Sequence, residues 1–151
     1  MLTHVGHDQP PLRVLLVDHD RKFGEAAAFF IGLQRQLELV AWEQDCNSGL
    51  RHVIHHRPDV IVLGWSEDAR NIVSVIRRLN IAGYAPAIIV FADNGDARAY
   101  AAAKHSGAEQ VSFRADLSKS LLPTIRSFAR RSLQALMPTS LLSAPASRSC
   151  C

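Results

Sequence analysis

The sequence predicts an α/β domain built on a parallel sheet, and three observations carry that prediction. Val60 to Leu63 is a run of four β-favouring apolar residues that stops at Gly64, the pattern of a strand buried on both faces. Val14 to Val17 is a second such run and Ala87 to Phe91 a third. Between them lie stretches with helical spacing of apolar residues, and strict alternation of the two kinds of element with right-handed crossovers gives a parallel sheet covered on both sides.

Residues 1–10 are polar and end in Pro10 and Pro11, so they read as a flexible lead-in. The first strand, from Arg13, ends at Asp18-His19-Asp20. Asp20 caps a helix carrying Phe23, Ala26, Ala27, Phe30 and Leu33 on one face. Leu37 to Trp42 is a strand whose Glu38 suits a sheet edge. A helix beginning at Asn47 or Ser48 turns Leu50, Val53 and Ile54 inward and is stopped by Pro58.

After the Val60–Leu63 strand, Asp68 caps a helix with a stripe of Ile72, Val75, Ile76 and Leu79. Asp93-Asn94-Gly95-Asp96 makes a turn and a cap for an alanine-rich helix, which Gly107 ends. A short strand at Gln110–Phe113 precedes the last helix, with Leu121, Leu122, Ile125, Phe128 and Leu133 toward the core; Pro123 places its start near Ser120. Residues 134–151 read as a mobile tail. The expected architecture is one domain, residues 11–133, with a flavodoxin-like five-stranded sheet of order 2-1-3-4-5 and five helices on both faces.

The 151 residues suit one core, and the formal net charge of +3 is too small an excess to argue nucleic-acid binding. With no apolar run long enough to span a bilayer and no apolar leader, the chain is expected in the cytoplasm and away from membranes. Three cysteines, Cys46 and the adjacent Cys150 and Cys151, form no disulfide framework or Cys-x-x-Cys motif. His52, His55 and His56 share a helix, but the sequence supplies too few converging ligands, so they read as a solvated face and no metal or cofactor is expected.

Ligands in open α/β sheets sit beyond the carboxyl ends of the strands, which puts Gly64, Trp65 and Ser66 at the place for chemistry. Arg13 to Asp18, Phe23, Arg57-Pro58-Asp59 with the strand after it, Ser106-Gly107-Ala108 and Ile125 to Phe128 then follow in an order that resembles a bacterial response-regulator receiver domain, closest to those of helix-turn-helix regulators. The resemblance spans about residues 12–131 and implies a phosphoacceptor aspartate after the third strand. It also implies a Mg²⁺ held by acidic residues after the first strand, a hydroxyl after the fourth, and a lysine after the fifth.

The matching positions here are Gly64 for the phosphoacceptor, Asp18 and His19 for the acidic pair with Asp20 one residue on, Ala92 for the hydroxyl and Arg114 for the lysine. Only Asp18 keeps the family's residue, and Ser66, Asp59 and Asp68 are not placed to substitute as acceptors. The resemblance therefore implies a degenerate pseudo-receiver, not an enzyme, working as a stand-alone, phosphorylation-independent protein-interaction module in two-component-type signalling.

The vestigial site (Asp18, His19, Asp20, Gly64, Trp65, Ala92, Arg114) is expected to be filled by Trp65 or His19. If it stays open, Arg114 would suit an anion, and a small-ligand sensor is the alternative function. By analogy with receivers, the fourth helix, fifth strand and fifth helix would bind a sensor kinase, a response regulator or a second copy. That face would present Arg98, an exposed Tyr100, Lys104, Arg114, Arg126, Arg130 and Arg131. Residues 134–151 are too few and too irregular for a helix-turn-helix, and sequence-specific DNA binding is not expected.

Overall fold

The structure, a computed structural model, describes residues 10–78 and 84–136, with side chains through Phe128. In chain order the elements are β1 (Leu12–Val17), α1 (Arg21–Gly32), β2 (Leu37–Glu43), α2 (Cys46–His56), β3 (Val60–Gly64), α3 (Glu67–Arg78), β4 (Ala87–Ala92), α4 (Ala97–His105), β5 (Gln110–Phe113) and α5 (Leu117–Leu136). All strand pairs are parallel and the sheet order is β2-β1-β3-β4-β5. Apart from Pro10 and the end of α5, the expected lead-in and tail lie outside the described residues, as do Leu79 and the side chains of Arg130, Arg131 and Leu133.

The period of two along each strand divides the core in half. Val14, Leu16, Val60, Val62, Ile89 and Phe91 face α1 and α5, where they meet Phe23, Ala27, Ile31, Leu121 and Ile125. Leu15, Val17, Ile61, Leu63, Ile88 and Val90 face the other way, onto Val53, Ile72, Val73, Ile76 and Ala103. All five residues of β3 are buried, as expected of the middle strand. No helix among the described residues is long and apolar enough to cross a membrane.

Local chemistry sets where the helices start. Asp20 accepts from the amides of Lys22 and Phe23 at 3.0 and 3.3 Å, and Asp96 from Ala99 at 3.0 Å, both as expected. Helix α2 starts earlier than Asn47 or Ser48, because the Asp45 carboxylate accepts from the Ser48 amide at 3.1 Å. In α3 the cap is Ser66, whose Oγ accepts from Ala69 at 3.1 Å, and Asp68 lies within the first turn. Helix α5 begins at Leu117, directly after a 3₁₀ turn at Arg114–Asp116, because Leu117 and Leu121 are both buried. Pro123 thus falls in its second turn instead of its first, and the helix lacks the amide that would bond the Lys119 carbonyl.

Three residues expected inside are exposed: Leu33 (60%), Ile54 (48%) and Val75 (38%). Leu33 is the cap just past the end of α1, and Ile54 and Val75 give way to neighbours such as Val53 and Val73, which fill the interface first.

Candidate functional site

Register brings the site together. Val17 lies beside Leu63, Gly64 beside Phe91, and Ala92 beside Phe113, so the residues following β1, β4 and β5 emerge at one level around the end of β3. Those residues are Asp18, Asp93 and Arg114. The Asp18 side chain has no exposed surface and Arg114 keeps only 10%.

Arg114 reaches across the end of β3 through one terminal nitrogen. Its Nη2 donates to Asp18 Oδ1 at 2.7 Å and to Oδ2 at 2.9 Å, while Nη1 donates to Asp93 Oδ1 at 2.6 Å. The guanidinium carbon stands 5.2 Å from the centre of the Phe23 ring, a cation-π placement. Asp18 Oδ1 also accepts from the Asp20 amide at 2.8 Å. Burial pushes the Asp18 carboxyl above its ordinary range, and the Asp20 amide and the Arg114 charge pull the other way.

Gly64 makes room for this arrangement. A Cβ built there would fall under 3.0 Å from Cγ and Oδ2 of Asp18 and from Nη2 of Arg114, closer than real Cβ atoms pack. Arginine's longer side chain therefore occupies the space that an acceptor side chain would need, and the ion pair closes it. The expectation that Trp65 or His19 fills the gap is corrected: the His19 side chain is 63% exposed, and Trp65 packs on the opposite core half beneath Arg70. The open anion pocket of the alternative reading is not formed, since both terminal nitrogens of Arg114 are already held by carboxylates.

The residues also do not fit the divalent cation of the receiver site. Asp18 is taken by the guanidinium, Asp20 Oδ1 caps α1, position 64 has no side-chain oxygen and Ala92 is fully buried without a hydroxyl. A cation bound to Asp18 would have to displace a fixed positive charge. Two cavities lie elsewhere, one of about 320 Å³ beside Leu12, Leu37, Leu122 and Ile125, the other of about 150 Å³ between α2 and α3 beside Cys46 and Asp68.

The expected interaction face is only partly assembled. Arg98 and Lys104 are exposed on α4. Tyr100 is half-buried instead of exposed, stacked on Phe113 with ring centres 4.9 Å apart and with Lys104 Nζ 5.7 Å from its own ring centre. Arg114 does not belong to the face at all, because it is spent on the buried pair. Arg126 lies on the other flank of α5, donating to Gln34 beyond the end of α1. On α2, His52 pairs with Glu43 at 2.9 Å and stacks on His56.

Asp93 and Asn94, read from the sequence as turn residues, both contact the strand-end group: Asn94 Oδ1 accepts from the Ala115 amide at 2.7 Å. An acidic residue directly after β4, level with a basic one directly after β5, is the signal that finds the first of these.

No family model matches the chain, and no curated protein sequence matches it. Solved structures do. A LuxR-family DNA-binding response regulator from Staphylococcus aureus aligns with a TM-score of 0.68 at 12% identity over 78% of this chain and 98% of that one. The receiver domain of the Francisella response regulator 1452 aligns with 0.67 at 17% identity over 82% and 99%. The RcsB response regulator of Salmonella typhimurium aligns with 0.69 at 12% identity over 81% of this chain and 61% of that one. This chain has the receiver-domain fold.

Proposed function

We propose that this receiver-fold domain is a pseudo-receiver: a non-catalytic, phosphorylation-independent protein-interaction module of two-component-type signalling. The observation that carries the reading is the closure of the acceptor position, where Gly64 leaves only the space that the Asp18–Arg114 pair fills. Phosphoryl transfer needs an oxygen nucleophile, a divalent cation and a charge-neutralising group, each placed closely. Here the nucleophile's position has no side chain, and the cation's ligand is already paired with the Arg114 guanidinium. What remains for signalling is surface. The response regulators that share the fold support a sensor kinase, a response regulator or a second copy as partner.

The test is intact mass after incubation with acetyl phosphate and Mg²⁺, together with amide NMR spectra during beryllofluoride addition. The expected result is an unchanged mass and unchanged shifts at Asp18, Gly64 and Arg114. A stoichiometric phosphoryl adduct would overturn the proposal.

A further inference from the structure

Three consecutive residues, Phe113 to Ala115, tie the turn before α4 and the body of the helix to the rest of the protein, while beyond its far end Arg77 Nη2 donates to the Gly107 carbonyl at 2.7 Å. Phe113 stacks on Tyr100, Arg114 Nη1 bonds Asp93, and the Ala115 amide bonds the Asn94 side chain. Asp93 and Asn94 open the turn that leads into α4, a turn closed by the Asp96 amide on the Asp93 carbonyl at 3.1 Å and completed by the Asp96 cap. The helix itself is lightly anchored. Of its nine residues only Ala103 is buried, whereas α1 and α3 bury four each. An element with so little buried apolar surface takes its position from its few attachments.

We propose that Arg114 is a permanent latch, which joins the strand-end centre at Asp18 to the turn before α4 and so keeps the exposed face of Arg98 and Lys104 in one orientation without a phosphoryl group. The inference rests on the pseudo-receiver reading and adds its regulation: the output surface is set by a built-in charge, and its activity follows the protein's abundance. The latch is anchored at its buried end by Nη2, shared between the two oxygens of Asp18, and at its exposed end by Asp93, whose side chain is 69% exposed. Its outer half is therefore open to substitution without disturbing the core.

Amide hydrogen exchange on the full chain tests this, comparing the wild type with Asp93→Ala, Asn94→Ala and the double variant. The expected result is exchange about tenfold or more faster across Tyr100–Ala103 in the double variant, with Phe23–Ile31 in α1 unchanged and the melting temperature within a few degrees. Unchanged exchange in α4, or equal acceleration in α1 and α4, would overturn the latch. Arg114→Lys is the second variant: a shorter side chain that keeps the charge should loosen α4 in the same way. Neither overturning result depends on whether the protein accepts phosphate, so failure of the latch and failure of the pseudo-receiver reading are separable.

Discussion

Gly64 is held to glycine by space and not by backbone conformation, since the positive-φ glycines among the described residues are Gly95 and Gly107. Gly64→Ala forces Asp18 or Arg114 to move, and overpacking of this kind should lower stability by about 1–3 kcal/mol, read as a lower urea midpoint with an unchanged slope. Arg114→Met leaves a buried carboxylate without its cation, a change expected to cost about 3–5 kcal/mol. It should also alter the response to pH. Burial already places the folded-state pKa of Asp18 above its unfolded value of 3.8, so the fold's preference for the protonated form is fully present below that value and is lost as pH rises through the folded one. Removing the guanidinium raises the folded value further. The melting temperature of Arg114→Met should therefore fall more steeply from pH 4 to pH 8 than that of the wild type, and equal slopes would count against a buried, charge-paired Asp18.

Elements differ in how firmly they are held, and α5 and α4 show the contrast. Helix α5 tolerates Pro123 in its second turn because Leu117, Leu121 and Ile125 bury one face against the sheet. Pro123 is exposed, so Pro123→Ala should restore a backbone bond without a clash and raise stability by about 1–3 kcal/mol, measured by chemical denaturation. Helix α4 contributes little to the core and displays its charges. Charge reversal at Arg98 and Lys104 should abolish binding to a captured partner while leaving the melting temperature within about 2 °C of the wild type, because exposed substitutions rarely change stability by more than about 0.5 kcal/mol. Loss of binding accompanied by a large drop in melting temperature would place the contact elsewhere.

For the molecule as a whole, the fold was legible because burial on both faces leaves a plain mark: Val14–Val17 and Val60–Leu63 have no polar side to offer. Strand order followed from strict alternation of elements. The candidate site was legible in its losses, since Gly64 and Ala92 are visible as residues without the needed atoms. How the gap closes was not legible, because it depends on how far a guanidinium from position 114 extends toward position 18, a distance set by register and rotamer and unmarked in the sequence. The same holds for Arg126, whose flank of α5 is decided by helix rotation.

Closure at Gly64 also bears on reversibility. In a site that had merely lost its acceptor, one substitution back to aspartate would restore a usable geometry. Here that residue would arrive against the Asp18 carboxylate with Arg114 lodged between them, so Gly64→Asp alone is disfavoured unless position 114 changes as well. Positions 64 and 114 are thus sterically interlocked: a side chain at one requires the guanidinium from the other to withdraw.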